Sequence, residues 1–206
     1  MLTRPLEHFH QRYILQRRRD CLVRGVSAAL APWRPARILD VGCGNGEITL
    51  GIAAACPQPV TVEGVDVLVR PDIKIPVVAY DGLRLPFPDN SFDAVMAVDV
   101  LHHADSPTAI LAEMTRVARR GVVLKDHNRD GLFAQRTLEL MDDVGNRRHG
   151  VRLVYHYLCR AEWSAAFAAN HLTVASMNPV RDLYPFPLNL AFGRDLHFVA
   201  ALEKSA

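Results

Sequence analysis

The sequence predicts an α/β chain: one domain built on a doubly wound, largely parallel sheet. Three observations predict it. Short apolar runs alternate with helical stretches between Arg37 and Lys125, the pattern of strand–helix–strand units with right-handed crossovers. A glycine-dense turn, Gly42-Cys43-Gly44-Asn45-Gly46, joins the first such run to a helix. The 206 residues are 50% hydrophobic and 22% charged, which suits a single folded core and is too apolar for a disordered chain.

The elements follow in order. Residues 6–31 read as one or two helices, because Leu15, Leu22, Val26 and Leu30 repeat at helical spacing. Pro32 and Pro35 end that region. Residues 37–41 (RILDV) form a buried strand, and Glu47 to Cys56 a helix stopped by Pro57. Strands are expected at 60–66, 75–80 (weaker) and 92–98. Ser106-Pro107 opens a helix through Val117, with proline in the first turn, where its missing N–H costs nothing. Gly121 to Lys125 is a fifth strand. Helices are expected at 132–144 and 160–170, and closing strands at 172–177 and 196–202, with Tyr184-Pro185-Phe186-Pro187 as a loop between them.

Composition excludes several classes. No run of about 20 apolar residues is present, as a membrane-spanning helix requires. Residues 1–11 lack the apolar segment of a secretory signal. Cys21, Cys43, Cys56 and Cys159 form no CxxC pair and no zinc spacing, so reduced thiols in a cytoplasmic protein are expected. The formal charge of +2 argues against a dedicated nucleic-acid binder. Charge is uneven, however. Eight arginines against Glu7 and Asp20 make residues 1–37 net +6, and the remainder is net −4. Arg17-Arg18-Arg19 is therefore either a solvated helix face or a face for an anionic surface or carrier protein.

Asp40-x-Gly42-x-Gly44-x-Gly46 carries the chemistry. Glycines let a ligand lie against bare backbone, and the helix behind them offers free N–H groups. The spacing departs from the dinucleotide pattern G-x-G-x-x-G, because its third glycine would fall at Glu47. Asp40 would repel a pyrophosphate and attract an ammonium. A ligand with an ammonium and no phosphate fits, as S-adenosylmethionine does. Asp66, 26 residues beyond Asp40, ends the second strand, where a carboxylate can take both ribose hydroxyls. Asp81 follows the third strand and can accept from an adenine amino group. Asp99 follows the fourth.

Residues 37–127 resemble the class I S-adenosylmethionine-dependent methyltransferases. The resemblance rests on ILDVGCGNGEITL (38–50), VEGVDV (62–67), YDGLRLPFPDNSFDAVMAVDVLHHADSP (80–107) and LAEMTRVARRGVVLKDH (111–127). These segments are most similar to the small-molecule, methyltransferase type 11-like branch, which includes quinone-biosynthesis and natural-product enzymes. The resemblance implies a Rossmann-like seven-stranded sheet in order 3-2-1-4-5-7-6 with strand 7 antiparallel. It implies cofactor contacts from Gly42, Cys43, Gly44 and Gly46, ribose contact from Asp66, and adenine contacts from Val67, Asp81 and Gly82. Leu83 is expected to pack on the base, and Val98 and Asp99 to lie near the methionine part.

The acceptor is read from the remaining loops. Asp99-Val100-Leu101-His102 is not the Asn/Asp-Pro-Pro-Tyr of amino methylation on nucleic acids. No Pro-Cys pair supports cytosine chemistry, and three lysines weigh against ribose methylation. His102 and His103 follow strand four, and Asp126-His127-Asn128 follows strand five. A histidine can deprotonate a hydroxyl near neutral pH. His127, oriented by Asp126, is the first choice of base, with His102 and His103 behind it. O-methylation of a small molecule is the leading expectation. C-methylation of a quinone-like or carrier-bound substrate, or a non-catalytic S-adenosylmethionine-binding partner protein, are the alternatives. Asp99, Asp126 and Asn128 raise the question of a hard cation, but their spacing is loose and no metal is expected. Residues 128–160 are expected to form a substrate lid, with Asn146, Arg147, His149 and Tyr155 as contacts. Residues 1–35 are expected to form a helical cover, with His10, Tyr13 and Arg17 near the methionine carboxylate.

Overall fold

A computed structural model describes residues 14–146 and 153–205. Helix α1 (Gln16–Leu30) runs into a 3-10 turn at Ala31–Trp33, and β1 (Arg37–Val41) follows. Next come α2 (Glu47–Ala55), β2 (Thr61–Asp66), β3 (Val77–Ala79) and β4 (Phe92–Val98). A 3-10 turn at Leu101–His103 leads into α3 (Pro107–Val117) and β5 (Ala118–His127). Then come α4 (Ala134–Asn146), α5 (Arg160–Ala169), β6 (Leu172–Pro179), α6 (Leu188–Phe192) and β7 (His197–Lys204). The sheet order is β3-β2-β1-β4-β5-β7-β6. β1 to β5 pair in parallel, and β7 runs antiparallel between β5 and β6.

The strands alternate side chains between two cores, as a period of two requires. Leu39, Val41, Val95, Ala97, Val122 and Leu124 face α3 and α5, where Met114, Trp163 and Phe167 complete the cluster. Ile38, Ala94, Met96 and Val123 face the other way, toward Val26 and Leu30 of α1 and Ile52 of α2. Both faces of the central strands are covered, which explains their near-continuous apolar sequence.

Ser106 caps α3 by accepting from the Ala109 N–H, with Pro107 in the first turn as expected. Two expectations, those for β5 and β3, need correction. β5 is ten residues rather than five. It gains length because β7 pairs alongside it as far as His127↔His197. β3 shrinks to Val77–Ala79, since only Gly64 to Asp66 of β2 offer it a partner. The segment after Pro187 forms the short helix α6 before β7 begins at His197. No helix among the described residues is long and apolar enough to cross a membrane.

Candidate functional site

The parallel strands end together, so the loops after β1, β2, β3, β4 and β5 share one edge of the sheet. Gly42 (φ +72°) and Gly46 (φ +80°) both sit in the left-handed region. A Cβ on Gly42 would lie 2.5 Å from Val100, and one on Gly46 would lie 2.5 Å from Ile75. Only glycine makes this turn. The N–H groups of Gly42 and Cys43 donate to Val65 O at 2.8 and 3.2 Å, which ties the loop to the end of β2.

Asp66 is held by two backbone donors. Gly44 N–H reaches its Oδ2 at 2.8 Å and Leu68 N–H its Oδ1 at 2.9 Å. Asp81 Oδ1 accepts from the N–H groups of Leu83 and Arg84, and these bonds lower its pKa. Val67 and Leu83 are largely exposed despite being apolar. Gly82 sits against Val67, 3.2 Å from where its own Cβ would be. After β2 and after β3 an acid thus stands beside an exposed apolar side chain, Asp66 beside Val67 and Asp81 near Leu83.

Asp40 sits below the loop. It is buried, and Thr49 Oγ1 of α2 donates to its Oδ2 at 2.5 Å. Burial pushes its pKa up to about 7, against the pull of the Thr49 hydrogen bond. Asp99, with φ +58°, pairs with Lys125 Nζ from β5 and with the Arg18 guanidinium from α1. Burial opposes its charge, but Lys125 and Arg18 hold its carboxyl well below the usual range. Val98, the last residue of β4, is half-buried and packs with Cys21, Leu22 and Leu183.

The loops after β4 and β5 bring the expected histidines together. Asp126 is fully buried and organises them. Its Oδ1 is 2.6 Å from His102 Nδ1 and 3.3 Å from His127 Nδ1, and it also accepts the His127 N–H. Its Oδ2 accepts the Leu101 N–H at 3.1 Å. Burial works against a charge on His102, yet Asp126 and Asp142 raise its pKa to about 10. Burial and the neighbouring His102 lower His103 to about 4. Burial, then Lys125, lowers His127. His127 stacks edge-on against His197, and Trp163 of α5 anchors the end of β5 by donating to His127 O at 2.9 Å.

Sequence reasoning missed Arg18, Lys125, Asp142, Tyr157 and His197 as site residues. Tyr157 OH donates to Asp142 and lies 3.1 Å from Leu138 O, which fastens the 153–159 segment onto α4. Lys125 carried a usable signal: a lone lysine inside an apolar strand needs a buried partner. Arg17 instead donates to Asp182 O, and Arg19 pairs with Glu47. Each member of the Arg17–Arg19 run therefore has an intramolecular partner. Tyr155 OH donates to Asp143 Oδ1 at 2.7 Å. Asn146 ends α4, while Arg147, His149, His10 and Tyr13 lie outside the described residues. Asp99, Asp126 and Asn128 form no oxygen cage, because Asp99 takes two cations, Asp126 two histidines, and Asn128 Oδ1 the Asp130 N–H.

Comparison with known proteins fits this arrangement. Residues 39–126 match a family described as "Methyltransferase domain". The 27-O-demethylrifamycin SV methyltransferase of Amycolatopsis mediterranei is 32% identical over 108 residues, covering 46% of this chain and 39% of that protein. The demethylmenaquinone methyltransferase of a Roseiflexus species is 36% identical over 111 residues, covering 49% and 46%. The chain thus spans less than half the length of these curated relatives. The 1,6-didemethyltoxoflavin-N1-methyltransferase of Burkholderia thailandensis, solved with bound S-adenosylhomocysteine, shares the fold with TM-score 0.64 at 19% identity, over 99% of this chain and 87% of that one. The expected strand order and glycine loop thus accompany a match to the methyltransferase domain over residues 39–126, and the solved methyltransferase shares the fold.

Proposed function

We propose that this protein methylates a small molecule on oxygen, with S-adenosylmethionine as methyl donor and a histidine as base. One observation carries the reading: a glycine cradle with paired acids shares a sheet edge with a buried histidine cluster. The cradle fits the cofactor. At Gly44 a Cβ would touch only the side chain of Arg70, at 3.9 Å, so the loop's backbone is not packed over by the core. Asp66 would hold the ribose hydroxyls, Val67 and Leu83 would sandwich the adenine, and Asp81 and Gly82 would meet its edge. Gly42, Cys43 and Gly46 would shape the turn beneath. Asp40, Val98 and Asp99 would lie toward the methionine part. When bound, the cofactor supplies an electrophilic methyl on a sulfonium, whose departure needs no acid.

The chain's own work is then to bind, orient and deprotonate. Positioning provides much of the rate in such a displacement. His127 would take the hydroxyl proton. Lowered as it is, it is neutral near pH 7, as a base must be. Asp126 would fix its ring through the 3.3 Å contact. His102, raised in pKa and bonded to Asp126, would brace the cluster, and His103 would border the acceptor. Residues 128–160 would form the lid, with Asn146, Arg147, His149 and Tyr155 toward the acceptor. Residues 1–35 would cover the methionine side, an assignment supported by the reach of Arg18 to Asp99. C-methylation of a quinone-like acceptor is the second reading, favoured by the demethylmenaquinone methyltransferase among the relatives.

Calorimetry with S-adenosylhomocysteine tests the cofactor, and absence of heat overturns the proposal. A labelled-methyl screen of phenols, hydroxyquinones and carrier-bound substrates, with mass spectrometry of the products, tests the acceptor. A methyl found on carbon would replace the first reading with the second.

A further inference from the structure

Beside the proposed base lies a second constellation, built from different atoms. His102 and His103 stand on the 3-10 turn after β4, and Asp142 stands on α4. His102 Nε2 is 3.4 Å from Asp142 Oδ2, and His103 Nε2 is 3.9 Å from the same oxygen. All three ligand atoms lie within 4.8 Å of one another. In a tetrahedral zinc site the ligand atoms are about 3.4 Å apart, given bonds of about 2.0–2.1 Å.

An independent observation points to a ligand. His102 Nε2 is buried and makes no hydrogen bond among the described residues, its approach to Asp142 being an ion-pair distance without hydrogen-bond alignment. A buried polar nitrogen left in that state is costly. The other ring nitrogen is fully engaged, with Nδ1 2.6 Å from Asp126 Oδ1. That is the arrangement by which metal-bound imidazoles are oriented, a carboxylate holding the far N–H. The Tyr157 hydroxyl donates to Asp142 Oδ2 itself and orients that carboxylate, leaving the oxygen's second lone pair toward the two imidazoles.

We propose that His102 Nε2, His103 Nε2 and Asp142 Oδ2 form a site for one divalent cation of the zinc type. Two imidazoles and one carboxylate suit zinc, cobalt or ferrous ions better than magnesium or calcium, which prefer oxygen cages. The site is separate from the Asp99–Asp126–Asn128 set. Lys125, the nearest fixed cation on β5, is already neutralised by Asp99. His103 is the most exposed of the three histidines in the cluster, its side chain 15% accessible. A further position on the ion would be the place for an acceptor oxygen to ligate. That last role rests on the methyl-transfer reading, whereas cation binding does not.

The test needs neither cofactor nor acceptor. Tag-free protein is stripped with a chelator and titrated with Zn²⁺ by calorimetry, and with Co²⁺ by visible absorption. One equivalent of each should bind, with cobalt bands of a low-coordinate imidazole site. His103→Gln and Asp142→Asn should each weaken binding by about tenfold or more, and His156→Gln, on a ring nitrogen bonded to Ala104 O, should not. Circular dichroism reports folding. Should Asp142→Asn fail to fold, His103→Gln on its half-buried turn decides the matter. No binding by the folded wild type overturns the proposal and leaves a proton on His102 Nε2. Binding of undiminished affinity in the folded variants overturns it equally.

Discussion

Gly44 donates its backbone N–H to Asp66 Oδ2 across 2.8 Å, so the glycine loop after β1 and the acid after β2 form one rigid unit. The bond fixes one carboxylate oxygen and leaves that oxygen's second lone pair for a ligand. Gly64 makes the close approach possible, since a Cβ there would meet Cys43 Sγ at 2.3 Å.

Asp66→Ala should therefore weaken S-adenosylhomocysteine binding by about 1–3 kcal/mol, the cost of losing a charged acceptor. Titration calorimetry on the folded variant measures it. A dissociation constant equal to wild type would remove Asp66 from the ribose site.

His127→Ala should lower turnover sharply and leave cofactor affinity unchanged, because His127 faces Asp126 and His197 rather than the glycine loop. General-base removal is typically worth about 10²–10⁴ in rate. Single-turnover methyl transfer, with the acceptor found by the labelled-methyl screen, provides the number. Full activity in the variant would assign the proton to another group.

Lys125→Met should destabilise the fold by about 3 kcal/mol, since it removes the fully buried cation and leaves the largely buried Asp99 carboxylate only Arg18, whose side chain is 34% exposed, as a charged partner. The double variant Lys125→Met, Asp99→Asn should recover much of the loss. Urea unfolding of the three proteins checks both statements. If the double variant were no better than the single, the pairing would not be the cause.

Asp40 should make stability fall as pH rises. Its folded pKa, about 7, lies above the unfolded value near 3.8, so between these values the folded state keeps a proton that the unfolded state has released. The native carboxyl is favoured while protonated, and that advantage is lost from about pH 4 upward to pH 7, at up to about 1.4 kcal/mol per unit. Asp40→Asn should flatten this part of the profile. Denaturant unfolding of both proteins at pH 5 and pH 8 compares the slopes, and parallel slopes would show that Asp40 is not titrating in that window.

The sequence by itself determined the local plan. Apolar periodicity set strands and helices, Ser106-Pro107 set the start of α3, and the glycine spacing with Asp40, Asp66 and Asp81 marked the candidate site's edge of the sheet. These features depend on neighbours a few residues away, and parallel strands bring their loops to one edge without further instruction. The tertiary structure alone decided the charge partners. Arg18 meets Asp99 from 81 residues away, and His127 meets His197 only because β7 inserts antiparallel beside β5. It also placed Asp142 against His102 and buried Asp40 on Thr49. A charged or imidazole side chain reads the same in sequence whether it is solvated or buried. Its partner is fixed by which distant elements pack together, and packing is not written in any short window of residues.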